Sequence, residues 1–377
     1  MKSEERADAR LLASARSSLF IHRSSLKNMN LLLFRFSAMG DVALVAPVVE
    51  AITAQYPNAR LTLVTRPKFA VFFAQFPNVD VVGVDFDGLY KGVPGLYRLF
   101  GELRQPQRFD MVVDLHQSLR SAVLKNLFRL VGVPSVTIDK GRAEKKALTR
   151  KHNKIRRVLP HSVERYAQTV GRANLAVQPS PDFRFRVSSE AERELSDFLA
   201  SQTLLPNVPY LGVAPFAQHP QKMWPFDRFG PLLTRVLAER PAQVFLFGGG
   251  AAETAQLITL QKQVPSAILV AGKLSMAAEL ALMQRLSGMV CMDSGNMHLS
   301  ALSGVPVVSI WGATHPEAGF GPWGQASEAI VQISVDQLTC RPCSIFGNKP
   351  CWRGDLACLN GISVEVVAER IIHLLNH

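Results

Sequence analysis

Short apolar runs alternate twice along this chain with segments of helical periodicity, and that alternation restricts the fold more than any other feature. Reading from Met29, extended runs fall at 30–36, 60–65, 80–85, 109–115 and 135–139, with helix-like segments at 41–55, 68–76, 94–105 and 118–131 between them. Runs such as Leu31-Leu32-Leu33-Phe34 are apolar at every position, as in strands covered on both faces. Such strands, separated by helices, form parallel sheets, because a crossover helix is needed to return the chain to the same end. A helix-like segment at 161–175 follows, and "AVQPSPDFRF" (176–185) then breaks the pattern with two prolines. The alternation resumes with strands at 209–214, 242–247, 267–270, 288–292 and 306–310 and helices at 226–239, 250–263, 275–286 and 295–303. The fold class is α/β, in two units: a first domain over 29–178, a second over 179–360, and a closing helix over 361–377 with Val364, Val367, Ile371 and Leu374 on one face. Ligands of such sheets bind beyond the carboxyl ends of the strands.

Of the 377 residues, 47% are hydrophobic, enough for two cores. No apolar run reaches the ~18 residues of a membrane-spanning helix. The basic excess is confined to the first half: residues 1–180 carry 28 Lys and Arg against 14 Asp and Glu, and the remainder 14 against 16. That asymmetry implies an anionic partner: nucleic acid, anionic lipid or a phosphorylated ligand. The run 140–157, "KGRAEKKALTRKHNKIRR", holds nine Lys and Arg against one Glu and no aromatic residue. Without aromatics it offers no base-stacking platform, so anionic lipid or a phosphorylated sugar fits it better than nucleic acid. Residues 1–28 are Arg- and Ser-rich without a secretory apolar region, and are expected to be a disordered extension ahead of a natural start at Met29.

Several stretches could carry chemistry. "RFSAMGDVALVAPVVEAI" (35–52) leaves the first strand, turns at Gly40 and places Asp41 at a helix start, where it could cap the helix or act as a base. "CMDSGNMHLSALSGVPVVSIWG" (291–312) leaves a strand at Asp293 and opens a helix at Ser294-Gly295, with His298 one turn in. Helix N-terminal N–H groups form an anion site, a serine adds a hydroxyl, and glycine lets a ligand approach the backbone. Ordinary capping would also account for Asp293 and Ser294, and a structural role for His298. Lys222 precedes Trp224-Pro225 in a loop beyond a strand, where a lysine can neutralise a diphosphate leaving group. "VFLFGGGAAETAQ" (244–256) is a strand, a glycine turn at Gly248 and a helix containing Glu253. There is no GxGxxG and no GxxxxGK[ST], so neither a dinucleotide fingerprint nor a P-loop is present. Of five cysteines, Cys340, Cys343, Cys351 and Cys358 cluster late with the spacing C-x2-C-x7-C-x6-C. They could hold a structural zinc, although a second CxxC is missing, or they could pack as reduced thiols in a loop. The lack of a spread, even framework fits a reducing compartment.

These stretches resemble glycosyltransferase family 9, the ADP-heptose:lipopolysaccharide heptosyltransferases. The resemblance rests on "LLLFRFSAMGDVALVAPVVEAI" (31–52), "KMWP" (222–225) and "GKLSMAAELALMQRLSGMVCMDSGNMHLSALSGVPVVSIWGATHP" (272–316), in that order, and extends to the cysteine tail. It implies a GT-B fold, two facing Rossmann-like domains with the last helix returning to the first. It implies an inverting transfer of heptose from ADP-heptose to the inner core of lipopolysaccharide, with no cofactor or metal required for catalysis. By the same resemblance Asp41 is the base and Lys222 meets the donor phosphates. Asp293, Ser294, Gly295 and His298 hold the diphosphate, and Gly248 and Glu253 lie on the donor side. The basic residues Lys145, Lys146, Arg150 and Lys151 would then meet a phosphorylated lipid A-core acceptor. The protein would sit in the bacterial cytoplasm at the inner face of the inner membrane, with no nucleic-acid partner. One departure stands out: the loop "APFAQHPQ" (214–221) lacks the hydroxyl that many members carry there.

Two other readings compete. One is a related GT-B transferase that uses a different nucleotide sugar. The other is a non-catalytic protein that binds anionic lipid or nucleic acid, which the basic first half alone would allow.

Overall fold

Leu31, Leu32, Leu33 and Phe34 are all withdrawn from solvent and form the core of the first strand, β1 (Asn30–Phe34). The computed structural model describes residues 29–105 and 108–376, so the expected extension 1–28 lies outside the described residues. After β1 the chain enters a short helix, α1 (Met39–Ala43), breaks at Leu44 and Val45, and continues as α2 (Ala46–Gln55). The sequence pattern predicts one helix here. Pro47 explains the break: it has no N–H to donate and is tolerated only in a first turn, so the helix restarts around it.

The chain divides into two units. Among the described residues, the first comprises 29–36, Val48–Ile138 and Tyr166–Gln178; the second comprises Ser37–Pro47, Asp139–Arg165 and 179–376. The α1 turn and the basic segment therefore belong to the second unit, whereas the sequence pattern assigns both to the first domain.

In the first unit β1 is joined by β2 (Arg60–Thr65), β3 (Val79–Gly83), β4 (Met111–Asp114) and β5 (Ser135–Thr137) in the order β3-β2-β1-β4-β5. All pairings are parallel, with Leu33 registered on Leu63 and Val113. The segment at 68–76 is a 3-10 helix, Pro67–Phe73, rather than an α-helix, and it buries Phe69, Phe72 and Phe73. Helices α3 (Gly92–Arg104) and α4 (Leu119–Leu130) pack through Phe100 and Phe128, whose rings meet edge to face at 4.9 Å. Arg35, buried at the end of β1, donates to the Leu115 carbonyl at 2.9 Å.

The second unit opens with α1, and its Asp139–Arg165 stretch forms α5 (Arg142–Leu148) and the start of α6 (Ser162–Gly171). Helix α7 (Ser189–Ala200) follows, capped by the Ser188 hydroxyl. The sheet then contains β6 (Tyr210–Ala214), β7 (Gln243–Leu246), β8 (Ile268–Leu269), β9 (Gly288–Met292), β10 (Val307–Trp311) and β11 (Ile330–Gln332). Its order is β11-β10-β9-β6-β7-β8, again wholly parallel. Helices α8 (Phe229–Glu239), α9 (Gly250–Gln263), α10 (Met276–Gln284) and α11 (Gly295–Leu302) connect these strands. The sequence alternation does not announce α5, α7 or β11.

The chain closes with α12 (Ala357–Asn360) and α13 (Val364–Leu375). Val367, Ala368, Ile371 and Ile372 of α13 are buried in the same core as Phe229, Leu232 and Val236 of α8, so its apolar stripe is spent within the second unit.

The doubly wound order of the second sheet puts β6 beside β9 with their crossovers leaving in opposite directions. The loops after these two strands therefore flank one crevice, where ligands of doubly wound sheets bind.

Candidate functional site

Ala214, at the end of β6, is registered on Cys291 near the end of β9. The loop beyond β6 ends in a 3-10 turn, Pro220–Lys222, and is anchored by buried Trp224. The Trp224 indole N–H donates to the Ile362 carbonyl at 3.1 Å, and its backbone N–H meets Met292 Sδ at 3.3 Å. So fixed, Lys222 reaches across to the residue that follows β9: its Nζ lies 2.9 Å from Asp293 Oδ2. Ser294 takes the N-cap position of α11 with extended backbone, yet its side chain makes no capping hydrogen bond, and its Oγ is buried without a partner. Capping therefore accounts for neither residue. Asp293 holds the lysine, and the Ser294 hydroxyl is left over for a ligand.

His298 lies one turn into α11 and is buried. Burial lowers its pKa from 6.5 to about 4, against the opposing pull of Asp293 and Asp41, with His161 and Lys222 reinforcing the shift. It is thus a neutral imidazole at neutral pH, and its buried Nδ1 has no partner. The ring lies against Gly40: a Cβ there would sit 2.5 Å from His298 Cδ2, and one on Gly295 would sit 2.5 Å from Met39 Cε. Helices α1 and α11 approach through these two glycines, and the approach carries Asp41 to the site. Asp41 is the third residue of α1, whose N-cap, Ala38, makes no side-chain cap.

Asp41, Lys222, Asp293, Ser294, Gly295 and His298 all line one cavity of about 300 Å³. Each of these was expected from sequence. Gln218, His219, Phe346 and Asn348 line it too and were not. His219 stands three residues before Lys222 in the loop without a hydroxyl, which was the available signal for it; Phe346 and Asn348 come from the cysteine-rich tail, and nothing local points to them. A larger groove, about 1150 Å³, lies at the amino ends of the same strands beside Arg184, Arg240 and Arg370 and contains none of the expected residues.

Other expected residues lie apart from the cavity. Gly248 follows β7, and the Glu253 carboxylate turns back to accept the Gly249 N–H at 2.7 Å at the start of its own helix. Lys145, Lys146, Arg150 and Lys151 do not line the cavity either, although Lys145 Nζ sits 4.2 Å over the ring of Phe320, which does. Two arginines at the end of the basic segment are held by carboxylates: Arg157 pairs with Glu144, as does Arg165 beyond it, and Arg156 pairs with Glu317.

Cys340, Cys343, Cys351 and Cys358 line one small cavity together with Arg341. The buried Arg341 guanidinium donates to the carbonyls of Gly312, Trp311, Thr314 and Ile333 and to Gln332 Oε1. Among the described residues, no group of three or more His, Cys, Asp or Glu is arranged to hold a metal ion, and the five cysteines are free thiols.

Comparison with known proteins follows the same lines. The model of glycosyltransferase family 9 (heptosyltransferase) matches residues 96–347, which include Lys222 and the 293–298 stretch but not Asp41. Lipopolysaccharide heptosyltransferase 1 of Pseudomonas aeruginosa is 28% identical over 328 residues, covering 84% of this chain and 86% of that protein. A solved glycosyltransferase family 9 protein from Veillonella parvula aligns with a TM-score of 0.73 at 21% identity, covering 92% of this chain and 97% of that one. The E. coli ADP-heptose heptosyltransferase II structure aligns with a TM-score of 0.66 at 19% identity, covering 92% and 99%. These likenesses identify the two parallel sheets with their flanking helices as a GT-B fold. Taken with the site at the β6 and β9 ends, they lead to one conclusion: the chain belongs to glycosyltransferase family 9, the heptosyltransferase family, and is a glycosyltransferase.

Proposed function

We propose that the protein transfers heptose from ADP-heptose to the inner core of lipopolysaccharide, with inversion and without a metal. The observation that carries the reading is the convergence of Asp41, Lys222 and the Asp293–His298 stretch on one cavity. Asp41 takes the proton of the acceptor hydroxyl as its oxygen bonds to the anomeric carbon. The bond from that carbon to the β-phosphate oxygen breaks, its electron pair leaves on ADP, and the configuration inverts. Lys222 and the N–H groups at the start of α11 meet the charge that develops on the diphosphate, so the site's own cations and dipoles supply what a divalent ion supplies elsewhere. The Ser294 hydroxyl and the His298 Nδ1 face the same ligand, and their lack of protein partners supports this.

The acceptor side is read from Lys145 beside Phe320, with Lys146, Arg150 and Lys151 on the same segment, as a surface for phosphorylated lipid A-core. Gly248 and Glu253 are read as the nucleoside end of the donor site. Placement at the inner face of the inner membrane follows from that acceptor. Among the described residues no helix is long and apolar enough to cross a membrane.

Incubation with ADP-heptose or with UDP-sugars, in the presence of heptose-free lipopolysaccharide core, tests the donor. ADP release coupled to a heptosylated acceptor is expected. UDP release without ADP release would overturn the reading in favour of another nucleotide sugar.

A further inference from the structure

Lys222 has to keep its ammonium at the diphosphate position while its long stem crosses the wall of the cavity. That wall is made by the segment just after Cys343. The Cys343 and Ser344 N–H groups both donate to the Ala313 carbonyl, at 3.0 and 3.2 Å, which fastens the segment to the end of β10. The Ser344 hydroxyl, buried, accepts the Gly347 N–H at 2.9 Å and closes a tight loop. Gly347 has φ +73, and a Cβ there would lie 2.5 Å from Lys222 Cγ and 2.8 Å from Cδ. The atoms that would be struck are the middle of the lysine stem, not its flexible end.

We infer that Gly347 is a positioning residue for Lys222: its missing side chain is the groove along which the lysine runs to reach Asp293 and the leaving group. The cysteine-rich tail thereby acts on catalysis through the loop it carries, whether or not its thiols bind anything. The inference rests on the reading of Lys222 as the leaving-group cation. A Cβ at 347 would push the stem by about 1 Å, and a shift of that size at a charge-stabilising group costs ~10²-fold in turnover. Because the lysine acts on charge that develops in the transition state, the loss falls on kcat more than on donor KM.

The test compares four variants of the full chain with ADP-heptose and acceptor, measuring kcat, donor KM and thermal midpoint. Gly347→Ala adds both the Cβ and left-handed strain. Gly347→Asn adds the Cβ while tolerating the left-handed backbone. Gly354→Ala adds the same strain at φ +81 in the same tail, where a Cβ meets nothing. Lys222→Ala removes the cation. Both Gly347 variants are expected to lose kcat ~10²-fold with a smaller change in KM, Gly347→Asn to melt closer to the parent than Gly347→Ala, and Gly354→Ala to keep the parent's kcat. A folded Gly347→Asn with parental kcat, equal losses in Gly347→Ala and Gly354→Ala, or failure of Gly347→Asn to fold would overturn the inference. Parental kcat in Lys222→Ala would instead overturn the reading of Lys222, and this inference with it.

Discussion

Lys222 Nζ lies 2.9 Å from Asp293 Oδ2, and both side chains are largely withdrawn from solvent. The lysine is thereby held in the position where a diphosphate oxygen would meet it. Removing the lysine leaves a buried carboxylate without its cation. Lys222→Ala is expected to lower turnover ~10²–10³-fold and to destabilise the protein by about 3 kcal/mol. Kinetics and urea unfolding check the two effects, and Lys222→Ala combined with Asp293→Asn should recover much of the stability but none of the turnover.

Asp41→Asn keeps the shape of the side chain and removes its basicity. Turnover should fall ~10²–10⁴-fold while the affinity for ADP, measured by calorimetry, stays at the parental level. Unchanged turnover would eliminate Asp41 as the base.

His298 ties stability to pH. Its pKa is lowered from 6.5 in the unfolded chain to about 4 in the folded one, chiefly by burial. Its contribution is fully present above about pH 6.5 and is lost as the pH falls toward 4, because the unfolded chain takes up the proton first. The amount at stake is of order 3 kcal/mol. Urea unfolding at pH 7.5 and at pH 5 should show the loss, and His298→Asn should flatten it. His315, also lowered to about 4 by burial, sustains the slope that remains.

A chelator should leave turnover unchanged, since the proposed leaving-group charge is met by Lys222 and the α11 amides. Loss of turnover on EDTA treatment that magnesium restores would show that a metal takes part.

The thiols should alkylate in a fixed order. Burial raises the Cys351 thiol, but the N–H groups of Leu356, Arg353 and Gly354 outweigh it and leave its pKa below the ordinary value. Burial pushes Cys358 up to about 11, and Cys291 is pushed higher still by complete burial beside Asp293. Mass spectrometry after brief iodoacetamide treatment should find Cys351 modified first and Cys291 last, since the thiolate is the reactive form.

The strands of both sheets are legible because Leu31–Phe34 of β1 and all of β9 are apolar without alternation, as in strands covered on both faces. The Asp293–His298 half of the site is legible for a similar reason: strand, serine, glycine and helix follow one another in the chain, so local geometry already points them at one ligand. Glu253 shows where that reasoning ends. Its donor-side place comes from the family resemblance and not from the local pattern, and in the structure its carboxylate accepts the Gly249 N–H.

What the sequence alone determined is the pair of parallel α/β units and the residue types able to take a proton and hold a diphosphate. Their hydrophobic period and turn chemistry are local properties of the chain. Only the tertiary structure decided which of those residues meet. Gly40 admits the His298 ring, Gly347 admits the Lys222 stem, and α13 spends its apolar face on α8. Each of these depends on close packing between segments more than a hundred residues apart, and sequence spacing carries no record of a distance that packing alone sets.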